Sequence, residues 1–262
     1  MKILMVGDVV GRPGRVALKT LLPKIQQQLD IQYTVVNVEN AAGGFGITEK
    51  VLGEFKAMDV QVFTTGNHVW DKQEALNLVD SEPRLLRPHN YPEAAPGSGW
   101  FCEQAKNGVR IGVLNIMGQA GIFPALDSPF FCADHVLEQY RSQVDILLVD
   151  FHAEMTSEKM AMGWYLDGRV EAVVGTHTHV PTADERILSQ GTAYISDLGM
   201  TGCYDSVIGS DIDCVLKRMV HKMPSRLDPA KGPGTVCGVV IEFDSNNNPV
   251  NIERIMEKVD AS

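Results

Sequence analysis

Five short apolar runs of this chain each end at a polar residue suited to binding a cation or moving a proton. The runs KILMVG, YTVVNV, VQVFTTG, ILLVDF and AVVGT have the length and β-branched content of buried strands. Because open α/β sheets hold ligands at the carboxyl ends of their strands, we expect these residues to meet at one rim of a sheet. They are Asp8, Glu39 and Asn40, Asn67 and His68, His152, and His177 and His179.

Helical patterns alternate with these runs. In residues 51–58, for example, apolar side chains recur at three- and four-residue spacing, as on one face of an amphipathic helix. The alternation predicts an α/β fold in one domain that spans residues 1–262. Thr48, Asp71 and Ser210 precede three of the helices as candidate N-caps. Helices are expected over residues 14–29, 48–58, 71–80, 133–143, 156–167 and 209–222.

Two segments rich in proline and glycine, residues 81–100 and 223–234, interrupt the pattern. Each precedes a strand-like segment, RIGVLNIMG or TVCGVVIEFD, so the chain is expected to return to its sheets after each surface loop. The final segment VNIERIMEKV follows the turn-rich DSNNNP and is expected to pair with the strand before it.

Composition restricts the partners of the chain. A net charge of -10 and a pI near 5.1 disfavour duplex nucleic acid and anionic membrane, which need a basic face, but allow a small or single-stranded phosphate substrate. The five cysteines form no CxxC pair, which argues against a disulfide framework or a thiolate zinc site. The sequence shows no signal segment and no apolar run of about 20 residues, so a cytoplasmic location is expected.

The GTHTH motif at residues 175–179 carries two histidines that strand alternation would send to the same side. An HxH pair alone is equally compatible with a structural role. Together with the other strand-end residues it gives a mixed oxygen and nitrogen donor set that suits divalent iron, manganese, nickel or zinc. One ion cannot use seven such groups, whereas two ions that share Glu39 could, and they would hold a hydroxide that is nucleophilic at neutral pH.

The order of these motifs resembles that of the calcineurin-like metallophosphoesterases. The segments GDVVGRPGR, VNVENAAGGFGIT, TTGNHVWD, VDFHAE, VVGTHTHVPTAD and DLGMTG are similar to those of the YmdB-type branch, and they cover most of the chain. The resemblance implies an α/β sandwich of two mixed β-sheets flanked by helices. It also implies a phosphodiesterase that acts on 2',3'-cyclic nucleotides.

The resemblance implies roles for the strand-end residues. His68 would not bind metal but would protonate the leaving oxygen as general acid, after attack by a metal-bound hydroxide. One metal would be held by Asp8, Glu39, Asn40 and His179, and the other by Glu39, Asn67, His152 and His177.

The chain departs from the wider superfamily at position 10, where Val10 replaces the usual histidine, and Asn40 would fill the vacancy. Because an amide oxygen is a harder donor than imidazole, two divalent ions of iron or manganese are favoured, with zinc, nickel or magnesium as alternatives. Homo-oligomers are common among members of the family.

Two other functions fit the same residues. One is a phosphomonoesterase or nucleotidase, although a doubly charged monoester would call for additional cationic groups. The other is a metal- or nucleotide-binding regulator without turnover, which would leave His68 without a role. The sequence leaves undecided the roles of Arg12, Arg15, Phe45 and Thr201, and whether Asp71 caps a helix or orients the imidazole of His68.

Overall fold

The computed structural model describes residues 1–259, which form two mixed β-sheets with helices on their outer faces. The strands of the first sheet are β1 Lys2–Val6, β2 Tyr33–Asn37, β3 Val62–Thr64, β10 Thr235–Phe243 and β11 Pro249–Lys258. Their spatial order is β11-β10-β1-β2-β3, in which β1, β2 and β3 are parallel and β10 and β11 are antiparallel to their neighbours. The predicted pairing of the last strand with the one before it is confirmed.

The second sheet has six strands. They are β4 Trp100–Gln104, β5 Arg110–Met117, β6 Ile146–His152, β7 Ala172–Thr176, β8 Arg186–Ile187 and β9 Ala193–Ile195. The order is β4-β5-β6-β7-β9-β8, with a parallel centre and one antiparallel strand at each edge. The predicted α/β architecture with two mixed sheets is therefore confirmed.

All the predicted helices are present. They are α1 Gly11–Leu29, α2 Glu49–Lys56, α3 Ala75–Ser81, α4 Pro129–Tyr140, α5 Thr156–Leu166 and α6 Ile212–Met219. Helix α1 begins before the expected residue 14 because Pro13 falls in its first turn, where the missing N–H would have no partner within the helix.

Only one of the three candidate N-caps is confirmed. Thr48 caps α2 by accepting a hydrogen bond from the amide of Val51 at 3.4 Å. The assignment of Ser210 was wrong, because Asp211 caps α6 instead. Asp71 caps no helix either, because α3 begins only at Ala75.

Strand alternation divides the core into layers. Ile3 and Met5 of β1 face the second sheet, where they pack in one cluster with residues such as Leu148 of β6. Leu4 and Val6 face the opposite way, onto the helices that cover the first sheet. A third apolar cluster lies between the second sheet and helices α4 and α5. The order helix, sheet, sheet, helix brings the carboxyl ends of both sets of parallel strands to one end of the fold.

Within residues 1–259 no helix is long and apolar enough to span a membrane.

Replacing Gly53 with alanine is expected to stabilise α2. A Cβ atom at this exposed helical position would meet no atom within 4 Å. Because glycine loses more backbone entropy than alanine in a helix, Gly53→Ala should raise the free energy of unfolding by about 0.5–1 kcal/mol. Urea unfolding followed by circular dichroism measures the change. A loss of stability would contradict the helical environment described for this residue.

Candidate active site

Both sheets contribute to the rim where the strand-end residues meet. Asp8, Glu39 and Asn67 follow β1, β2 and β3 of the first sheet, whereas His152 ends β6 and His177 follows β7 of the second. The expectation that one sheet supplies all of them was wrong. The two sheets face each other, so the ends of their parallel strands open into one shared space.

Three donor atoms surround Nε2 of His152. This nitrogen lies 3.0 Å from Oε1 of Glu39, 3.1 Å from Oδ1 of Asn67 and 3.1 Å from Nδ1 of His177. Neighbouring ligands of a six-coordinate ion are separated by about 3 Å when each bond is about 2.1 Å long. The spacing of these atoms therefore matches that of a ligand cluster.

A buried chain of hydrogen bonds fixes the tautomer of His152. The hydroxyl of Thr176 donates to Oδ1 of Asp150 at 2.7 Å, so its oxygen accepts the Nδ1 proton of His152 at 2.9 Å. Asp150 also accepts from Thr64 and Asn37. Nε2 is consequently the nitrogen that faces the donor cluster, which is the usual effect of residues that support a ligand.

The donor cluster fits a divalent cation. Nε2 of His177 donates its proton to Oε2 of Glu154 at 3.1 Å. The other ring nitrogen, Nδ1, therefore has a free lone pair that faces the donor cluster. Oε1 of Glu39 and Oδ1 of Asp8 are buried, and within residues 1–259 neither accepts a hydrogen bond. Lone pairs that face one another at this distance repel unless a positive charge lies between them.

A second pair of donors lies beside the first. His179 donates from Nδ1 to the carbonyl of Ile208 at 2.8 Å, and the amide nitrogen of Asn40 donates to the carbonyl of Gly44 at 2.9 Å. These bonds leave Nε2 of His179 and Oδ1 of Asn40 facing each other at 3.3 Å. The structure thus brings together all seven side chains in which the sequence suggested metal ligands.

Electrostatics favour a cation in this space. Burial raises the pKa of Asp8. Burial alone would also raise the pKa of Glu39, but His152 outweighs it and lowers that pKa to about 2. Burial would lower the pKa of His152, yet the carboxylates of Glu39 and Asp8 raise it to about 9. Burial and the nearby His152 lower the pKa of His177 to about 3. Glu39 is therefore charged and His177 neutral, the forms in which each binds a metal, whereas His152 holds a proton on Nε2 that a bound cation would replace.

Only Gly175 and Thr176 of the GTHTH segment belong to a strand, and its two histidines lie in the loop that follows. Strand β7 ends at Thr176, and both His177 and His179 have left-handed backbone, with φ angles of 101° and 66°. The prediction that strand alternation aligns the two imidazoles was wrong, although both line the same cavity. Such backbone costs about 1–3 kcal/mol per residue, so neighbouring contacts must hold it.

Asp197 supplies those contacts. Its Oδ2 accepts the amide of Thr178 at 3.1 Å and the hydroxyl of Thr178 at 2.7 Å, between the two histidines. The same oxygen lies 2.6 Å from Nζ of Lys159, and both side chains of this ion pair are 2% exposed. Neither residue was expected at the site from the sequence.

A signal for Lys159 was present in the sequence. It shares the buried face of α5 with Met162, Gly163 and Leu166, where an unpaired lysine would not be tolerated. The side chain of Lys159 passes β7 at Gly175, where only glycine fits. A Cβ atom added at Gly175 would lie 3.1 Å from Cδ of Lys159 and 1.8 Å from the carbonyl oxygen of Ser196. Lysine on an apolar helix face therefore indicated a buried acidic partner.

His68 lies beside the donor cluster and outside it. Its Nδ1 is 2.8 Å from Oδ2 of Asp71, and its backbone amide donates to Oε2 of Glu39 at 3.2 Å. The ring of Phe45 packs against the imidazole with centroids 4.9 Å apart. Asp71 therefore orients this histidine rather than capping a helix.

A cavity of about 410 Å³ opens over these groups. His68, His177 and His179 line its polar side, while Val10, Phe45, Ile208, Leu227 and Pro229 give it an apolar wall.

Two residues of undecided role make other contacts. Arg15 donates to the carbonyl of Ala41 at 2.6 Å, and Thr201 bonds the carbonyl of Cys237 at 3.3 Å.

Comparison with protein families matches residues 4–255 to the YmdB-like protein family. A relative from Bacillus subtilis (strain 168), a 2',3'-cyclic-nucleotide 2'-phosphodiesterase, is 46% identical over 257 residues, which make up 98% of this chain and 97% of the relative.

Solved structures show the same fold. A hypothetical protein from Thermus thermophilus superposes with a TM-score of 0.93 at 38% identity and covers 98% of this chain and 99% of its own. A phosphatase from Mycoplasma pneumoniae gives 0.92 at 31% identity, with 98% and 93% covered. A 5'-nucleotidase precursor from Thermus thermophilus gives 0.56 at 11% identity, with 98% and 54% covered, which is a likeness of fold alone.

Removing the Asp197–Lys159 pair is expected to weaken metal binding more than folding. The double variant Lys159→Met/Asp197→Asn leaves no buried charge without a partner. It should fold but bind Mn²⁺ about 10–100-fold more weakly, as loss of a supporting residue does at other metal sites, when titrated by calorimetry.

Glu171→Gln is the matched control, because it breaks the 2.6 Å pair with Arg141 just before β7, at the end of that strand away from the site. The control should bind Mn²⁺ with normal affinity. Wild-type affinity in the double variant would show that the pair does not hold the histidine loop.

Proposed function

Because this chain belongs to the YmdB-like family, we propose that it hydrolyses 2',3'-cyclic nucleotides at a site that binds two divalent metal ions. The observation that carries this proposal is the convergence of lone pairs from Glu39, Asn67 and His177 on Nε2 of His152, at 3.0 to 3.1 Å. In the absence of metal the only proton among these four atoms is the one on Nε2 of His152, which a bound cation would replace.

The donors divide into two sets that share Glu39. His152, His177, Asn67 and Glu39 would hold one ion, and His179, Asn40, Asp8 and Glu39 would hold the other. Ions bound here would withdraw electron density from the phosphoryl oxygens and lower the pKa of a coordinated water. The second set is richer in oxygen, because it contains one imidazole, so manganese or iron suits it better than zinc.

His68 is the proposed general acid. Its Nδ1 is bonded to Asp71 at 2.8 Å, which leaves Nε2 as the nitrogen that can give a proton to substrate. The ring lines the cavity, and Phe45 packs on it. The imidazole is thus held in one orientation by a carboxylate on one side and an aromatic ring on another.

The cavity favours a diester over a monoester. Among the described residues that line it, none is lysine or arginine. A monoester carries a second negative charge that would need such a group, whereas a cyclic diester carries one. The apolar wall with Phe45, Ile208 and Leu227 suits the flat face of a nucleobase. Phosphomonoester hydrolysis remains the second candidate, since the Mycoplasma pneumoniae relative is described as a phosphatase.

Histidine and glutamate variants separate catalysis from metal binding. His68→Ala should keep both metals and lose about 100- to 10,000-fold in kcat on 2',3'-cyclic AMP, because only proton transfer is removed. Glu39→Gln should lose metal and turnover together, because it weakens both sets of donors. Metal content by mass spectrometry and steady-state rates on the manganese-loaded protein measure the two effects.

The exposed His221 provides the matched control, because His221→Ala removes an imidazole from outside the site and should retain full turnover. Full activity in His68→Ala would exclude this residue as the general acid. Faster hydrolysis of adenosine 2'- or 3'-monophosphate than of the cyclic diester would favour the second candidate.

A further inference from the structure

A second cavity, of about 710 Å³, borders the proposed active site. Pro229 lines both cavities, and the glycine-rich segment after Asn40 contributes Gly43 to the second and Gly44 to the first. An added Cβ at Gly44 would lie 3.2 Å from Pro229, so the wall that separates the two cavities is thin. The two cavities therefore lie side by side, with Pro229 between them.

The start of α1 connects the second cavity to the metal-donor residues. The amide of Gly11 donates to the carbonyl of Asn40 at 2.9 Å, and Nη1 of Arg15 donates to the carbonyl of Ala41 at 2.6 Å. A ligand in the second cavity would thus lie next to the segment that carries Asn40.

The charge of this region is opposite to that of the chain. Arg12, Arg15 and Lys231 line the second cavity, and none of its described lining residues is acidic. Helix α1 carries four cations and no carboxylate in 19 residues, although the chain as a whole has a net charge of -10. Arg12 and Lys231 are exposed, whereas Arg15 is partly neutralised by Glu54 at 3.0 Å.

A mononucleotide substrate would leave the second cavity unoccupied. Its single phosphate belongs at the metal donors, and its base and ribose suit the first cavity of about 410 Å³. The cations at the second cavity can bind further negative charge on the same ligand. A ribonucleotide chain supplies it, because a 2',3'-cyclic phosphate forms at a 3' end and leaves all other phosphates on the 5' side.

We propose that the substrate is the 2',3'-cyclic phosphate end of a single-stranded oligoribonucleotide, whose upstream phosphates bind Arg12 and Lys231 in the second cavity. This proposal rests on the function proposed above. Water adds to phosphorus, the bond from phosphorus to the 2' oxygen breaks, and that oxygen takes a proton. The products are a 2'-hydroxyl and a 3'-phosphate on the same oligonucleotide end. A compartment with few cations suits a single strand, because a duplex would need a broad basic face.

The test compares 2',3'-cyclic AMP with an adenosine trinucleotide that ends in a 2',3'-cyclic phosphate. The wild-type manganese-loaded protein should have a kcat/KM about tenfold or more higher on the trinucleotide. This advantage should fall with salt, with a logarithmic slope of about -0.7 for each phosphate bound. Arg12→Gln/Lys231→Gln should remove the advantage and leave the rate on 2',3'-cyclic AMP unchanged.

Lys19→Gln is the matched control, because Lys19 is an exposed cation of α1 that does not line the cavity. It should retain the advantage. Equal kcat/KM on both substrates, or a full advantage in the double variant, would overturn the oligonucleotide proposal while the cyclic diesterase function stands. Hydrolysis of neither substrate by metal-loaded protein would instead overturn the proposed function itself.

Discussion

Electrostatic repulsion among buried lone pairs is the constraint on which the site depends. Oε1 of Glu39 and Nδ1 of His177 lie 3.0 and 3.1 Å from Nε2 of His152, in a place where water does not reach His152 or Glu39. Each imidazole is held there by a partner behind it. Thr176 turns His152, Glu154 turns His177, and the carbonyl of Ile208 turns His179. These partners engage the outer nitrogen of each imidazole, so the inner nitrogens face the space where a cation would bind.

The backbone of the histidine loop depends on a contact from the helical layer of the second sheet. Left-handed residues flank Thr178, and Asp197 binds both the amide and the hydroxyl of Thr178. Lys159 neutralises Asp197 from within α5. A buried ion pair is poor evidence for stability, because removing both charges is often harmless to folding. The presence of this pair is better explained by the loop geometry that it imposes.

The position of the site residues at the ends of strands could be predicted because the signal is local. An apolar run that ends at Asp8, Glu39 or His152 reports a strand and its functional end within a few residues. The origin of the donors in two sheets was missed, because no local pattern tells which strands pair. For Asp71 the sequence could not decide between a helix cap and a partner of His68, because α3 was expected too early and the contact depends on a turn that propensity does not reveal. Lys159 was missed because its partner lies 38 residues away.

The two-ion site is tested most directly by anomalous diffraction from crystals of the manganese-loaded protein, recorded above and below the manganese absorption edge. The account predicts two anomalous peaks in each chain, one beside His152 and His177, the other beside His179 and Asn40, with the carboxylate of Glu39 in contact with both. His68 should contact neither peak. A single peak, or a peak bound by the imidazole of His68, would contradict the division of donors and the role proposed for this histidine.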